Sequence, residues 1–161
     1  MVAYSPSQVM VKQADGRFFS ETPIRAYYLP SQVNQTMSMN LGNSSNFFFT
    51  DLITGCQFMA YGNNRHNLTV CHINALDEGA PAYERAAAGI RSHRFPIEII
   101  HGPSQYRAGL SAVDGPNSVV TVIGWRRADG WHFYARQCVN SPNNKFVVGT
   151  AATELLPARR Y

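Results

Sequence analysis

Phe47-Phe48-Phe49-Thr50, Cys56-Gln57-Phe58-Met59-Ala60-Tyr61 and Leu68-Thr69-Val70-Cys71-His72-Ile73 are three short runs rich in aromatic and β-branched residues. Between the last two lies Gly62-Asn63-Asn64-Arg65-His66, which has turn chemistry. Side chains of this kind suit a pleated, half-buried surface, and Gly and Asn reverse the chain at little steric cost. The stretch therefore predicts a strand followed by a β-hairpin. Centred on Asn64, that hairpin sets Ala60 against Leu68, Phe58 against Val70 and Cys56 against His72. Opposed residues in an antiparallel pair hold their Cβ atoms about 4.5–5.5 Å apart on one face. Cys56 and His72 would then meet at the end of an apolar stripe, with Cys71 turned to the other face.

Working outward, Ile24 to Leu29 reads as an early strand ended by Pro30. Residues 1–20 and the amide- and hydroxyl-rich stretch from Gln32 to Asn46 read as lead-in and loop. From Pro81 to His93 the chain reads as a helix, with Pro81 near its first turn and Tyr83, Ala86, Ala87 and Ile90 on one face. Ile97–Ile100, Ser118–Trp125, Trp131–Arg136 and Phe146–Val148 read as strands, the middle two joined across Asp129-Gly130, and Ala151–Leu156 as a short terminal helix. The expected architecture is a single α+β domain over residues 1–161, a mostly antiparallel pair of packed sheets with one or two helices outside.

Composition bounds the function. A chain of 161 residues with 45% hydrophobic and 15% charged residues is long enough to bury about 70% of its unfolded surface in one core. The net charge of +4 comes from scattered basic residues. The one short cluster, Arg126-Arg127 beside Trp125 and Trp131, falls short of the basic stripe of a nucleic-acid binder. Three cysteines are too few for a disulfide scaffold and leave at least one thiol free. No secretory leader or membrane-length apolar run is visible, so a soluble protein without a classical signal peptide is expected. Metal is not expected either: the thiols are 15 and 67 residues apart, and the adjacent Cys71-His72 pair would point to opposite faces.

A cysteine attacks as thiolate, and a histidine within hydrogen-bond reach is the usual means of generating it. Gly55 permits a tight turn just before Cys56, so backbone amides around Thr54 and Gly55 are candidates for an oxyanion hole. The Thr50 hydroxyl is a candidate to orient the imidazole. His132, in Trp131-His132-Phe133-Tyr134, is the alternative partner, in the order found in peptidases. His66, His93 and His101 fall in expected turns or at a helix end and read as solvated; Cys71 and Cys138 read as buried apolar residues.

Thr50-Asp51-Leu52-Ile53-Thr54-Gly55-Cys56, followed by His72 sixteen residues after the cysteine, resembles the signature of the glutamine deamidases related to cytotoxic necrotizing factor, Burkholderia lethal factor and the chemotaxis-receptor deamidase CheD. The resemblance covers residues 50–72 only, with Ile-Thr-Gly-Cys where the family has a Leu-Ser-Gly-Cys type of turn. It implies a β-sandwich flanked by helices and conversion of a target glutamine to glutamate without a cofactor. It also implies Cys56 as nucleophile, His72 as base and acid, and Thr50 as orienting group. By analogy the partner is a host regulatory protein such as a small GTPase or translation factor, reached in the host cytosol as a toxin or effector. The same residues also fit a thiol protease or a transglutaminase, and a non-catalytic binding module with a structural Cys56 is the reading from another class.

Overall fold

The computed structural model describes residues 2–3, 25–108, 118–140, 146–148 and 151–157. The strands are β1 (Val2–Ala3), β2 (Ala26–Leu29), β3 (Thr36–Leu41), β4 (Phe47–Thr50), β5 (Gln57–Asn64), β6 (Asn67–Ile73), β7 (Ile97–His101), β8 (Ser118–Arg127), β9 (Gly130–Asn140), β10 (Phe146–Val148) and β11 (Thr153–Leu155). The helices are α1 (Ala80–Ser92) and α2 (Pro103–Tyr106). One sheet runs β1-β3-β6-β5-β7; the other runs β10-β9-β8-β4-β2, with β11 also paired to β9. Pairing is antiparallel except at β1–β3 and β2–β4.

Alternation in the strands builds the core between the sheets. Met37, Met39 and Leu41 of β3, Leu68 and Val70 of β6, and Phe58 and Ala60 of β5 meet Phe48, Val120, Val122, Trp131 and Phe133 of the other sheet. Phe133 joins the layers, with its ring centroid 5.9 Å from Phe48 and 5.2 Å from Phe58. Burying an aromatic side chain of this size contributes about 1.5–3 kcal/mol from area alone, so truncating Phe133 strikes both sheets. On its outer face the first sheet packs Met59, Cys71 and Ile73 against Tyr83 and Ala87 of α1. That is the helical face expected from sequence.

Two expected elements differ. The stretch read as loop contains β3, because Met37, Met39 and Leu41 alternate into the core with the period of a strand. The terminal segment read as a helix is β11, antiparallel to β9. Leu155 packs against the core and Glu154 bonds His132, so tertiary contacts override local helix preference. The second hairpin closes over Ala128-Asp129, since Arg127 pairs with Gly130. Gly130, at φ 110°, follows the turn, and a Cβ there would lie 2.6 Å from the Arg65 carbonyl oxygen, so this close approach requires glycine. The expected lead-in over residues 1–20 lies outside the described residues apart from β1. No helix among the described residues is long and apolar enough to cross a membrane.

Candidate functional site

Cys56 lies where the chain passes from one sheet to the other. Ile53 bridges to Val120 of β8 through both backbone bonds, 2.8 and 2.9 Å, Gly55 turns the chain at φ 139°, and β5 of the opposite sheet begins at Gln57. Only glycine occupies that backbone region without strain. The Tyr106 hydroxyl donates to the Cys56 carbonyl at 3.1 Å, tying α2 to the turn.

The direct opposition of Cys56 and His72 is corrected by the register. β5 and β6 turn at Arg65-His66 rather than at Asn64, and an irregularity between Tyr61 and Asn64 places an additional residue in β5. Such a bulge shifts all pairing beyond it. Phe58 therefore faces His72, and Ala60 faces Val70. The displacement is two positions, so the faces are kept. Cys56 belongs to the core between the sheets and Cys71 to the cluster under α1. Cys56 itself precedes the first paired residue of β5, Gln57; it lies two residues before Phe58, which faces His72, and shares the core between the sheets with Phe58.

His72 is fully buried between Met37 on β3 and Phe58 on β5. Neither ring nitrogen has a hydrogen-bond partner among the described residues. Burial pulls its pKa down to about 4, partly opposed by the Asp51 carboxylate, so the ring is neutral at pH 7. Burial likewise pushes the Cys56 thiol up, against a backbone hydrogen bond at Thr54. The resting pair is thiol and neutral imidazole.

Thr50 does not take the orienting role expected of it: its buried hydroxyl donates to the Asp51 carbonyl at 2.7 Å. The charge that opposes the lowering of the His72 pKa is that of Asp51, whose carboxylate accepts from the Tyr28 hydroxyl and, at 2.9 Å, from the Ser31 N–H. Burial, then the hydrogen bond to Asp51 and its charge, raise the Tyr28 phenol to about 12.

His101, read from sequence as solvated, is instead an inner-face residue. It sits across β5–β7 from Phe58, so one row of the sheet reads Met37, His72, Phe58, His101. Its Nε2 is buried without a partner among the described residues, its ring lies 5.6 Å from that of Tyr106, and burial lowers its pKa. Phe58, two residues after Cys56, is thus flanked by two imidazoles. The missed signal was the alternation Ile97, Ile99, His101, which points inward once Ile99 is in the core.

His132 is unsuited as partner. It projects from the outer face of β9, with Nδ1 2.6 Å from Glu154 Oε1 and Nε2 2.9 Å from both Asp129 oxygens. His66 and His93 are exposed, as expected. Among the described residues no cluster of His, Cys, Asp and Glu could hold a metal.

A cavity of about 360 Å³ opens beside the Gly55 turn, lined by Thr54, Gly55 and Gln57 on either side of Cys56, by Tyr83 of α1 and by Arg107 after α2. A cleft of this size accepts an extended side chain and its neighbours. No family model matches the chain, and no curated protein matches it.

Proposed function

We propose that this chain is a cysteine-dependent hydrolase that deamidates glutamine in a target protein, with Cys56 as nucleophile and His72 as base and then acid. The observation that carries the reading is the arrangement at the head of β5. A thiol follows a positive-φ glycine beside an open cavity, and Phe58, two residues on, faces a buried imidazole with no partner among the described residues. Leaving an imidazole unpartnered in a core costs about 1–3 kcal/mol for each unmet polar group. Such a cost is characteristic of a group reserved for chemistry.

In this reading, the Cys56 Sγ–H passes its proton to neutral His72 as sulfur bonds the glutamine side-chain carbon. The imidazolium returns a proton to the amide nitrogen, the C–N bond breaks and ammonia leaves. Water then adds to the thioester, the C–S bond breaks, and glutamate and the thiol are formed. Gly55 and Thr54 supply the turn against which the oxyanion forms. The resemblance of residues 50–72 to toxin-type deamidases favours a host regulatory protein as target. It also favours a soluble site of action in the host cytosol.

A second reading keeps the chemistry and exchanges the base. His101 faces Phe58, two residues after Cys56, from the other side, and it lines a cavity of about 230 Å³ together with Tyr106, whose hydroxyl binds the Cys56 carbonyl. Ammonia release from glutamine peptides, measured for His72→Asn and His101→Asn, tests both. Loss of at least about a hundredfold in kcat identifies the base. Full activity in both variants excludes either imidazole.

A further inference from the structure

Resting on that reading of Cys56, we propose that Arg107 forms a carboxylate-binding subsite, so that the preferred target glutamine is flanked within two residues by Asp or Glu. The Arg107 backbone is fixed by its N–H bond to the Pro103 carbonyl at 3.0 Å. Its guanidinium carbon lies 5.7 Å from the Tyr106 ring centroid, and the side chain then reaches the nucleophile turn. A Cβ on Gly55 would lie 3.6 Å from Arg107 Nη2. The guanidinium is thus held one residue from Cys56, on the wall of the same cavity.

Among the described residues the arrangement leaves an acceptor unsupplied. Arg107 Nε is buried and has no hydrogen-bond partner among the described residues, and no described carboxylate forms an ion pair with the side chain. A guanidinium presents its donors as a planar fork that matches a carboxylate in two parallel bonds. Glu84, the acidic residue on the lining, is exposed and makes no ion pair with Arg107. Solvent therefore screens its repulsion of an incoming carboxylate, while the partly buried fork is screened less. The wall that approaches Gly55 is therefore cationic and unpaired among the described residues, and a substrate segment laid across the turn brings its neighbouring side chain to it.

The test compares three short peptides that differ only beside the glutamine, carrying Glu, Gln or Lys there. Wild-type protein is expected to turn over the Glu peptide with kcat/KM at least about tenfold above the Gln peptide. Arg107→Gln should bring the Glu peptide down to the level of the Gln peptide, Arg107→Lys should restore part of the preference, and Arg107→Glu should shift it to the Lys peptide. Calorimetric binding of the same peptides to Cys56→Ala protein separates recognition from chemistry. Arg107-dependent binding of the Glu peptide without turnover in wild type would leave the subsite standing and remove the deamidase reading. Equal kcat/KM for all three peptides, a preference that survives in folded Arg107→Gln, or failure of Cys56→Ala to bind the Glu peptide more tightly than the Gln peptide overturns the proposal.

Discussion

Phe58 faces His72 across the β5–β6 ladder and touches the opposite sheet through Phe133, 5.2 Å between ring centroids. The imidazole is thereby walled by apolar side chains, and His101 closes the row on the other side of Phe58. A base in this position is neutral because of where it is buried, and its basicity is available only to a group that enters the same face. The chemistry and the stability of the core are thus coupled at one row of the sheet.

That coupling gives a pH dependence of stability. His72 titrates near 6.5 when unfolded and at about 4 when folded, so the unfolded chain binds more protons between those values. Stability is fully present above about pH 6.5 and is lost as pH falls towards 4, by about 3 kcal/mol for this group. His101 shifts in the same direction. Urea unfolding of wild type and His72→Leu between pH 7 and 4 should show a shallower decline in the variant. Parallel declines would mean that His72 is protonated in the fold.

Thr50→Val is expected to cost about 1 kcal/mol of stability through the lost bond to the Asp51 carbonyl, and to lower kcat less than tenfold. Asp51→Asn should lower it more, because it removes the charge that supports an imidazolium at His72. Steady-state rates of the two variants decide the order, and a larger loss in Thr50→Val would restore the threonine as the orienting group.

The Cys56 thiol is raised by burial and Cys71 is pushed up to about 11. Alkylation at Cys56, followed by peptide mass mapping, should therefore climb about tenfold per pH unit from 7 to 9 without a plateau. A plateau near neutrality would show a pre-formed thiolate instead.

The sandwich, the helix packed by Tyr83 and Ala87, and the shared face of Cys56 and His72 were legible because each follows from a side-chain period. Exact register was not, since the additional residue between Tyr61 and Asn64 leaves no mark on the alternation of apolar residues. β3 was hidden by its polar outer positions, such as Asn40, although Met37, Met39 and Leu41 carried the signal. β11 depends on β9, a neighbour that local sequence does not contain. Asp51, His101 and Arg107 join the site only through the packing of β4, β7 and α2 around the turn, which no spacing rule encodes.

The central claim is the conversion of a glutamine side chain by Cys56, and mass spectrometry of glutamine-containing peptides exposed to wild type and to Cys56→Ser tests it most directly. The expected product is an uncut peptide about 1 Da heavier at glutamine, with one more negative charge at pH 7, formed by wild type and absent with Cys56→Ser, whose hydroxyl has almost no anionic fraction near neutrality. A cleaved peptide, an amine adduct, the same shift with Cys56→Ser, or no change in any glutamine peptide would contradict the account.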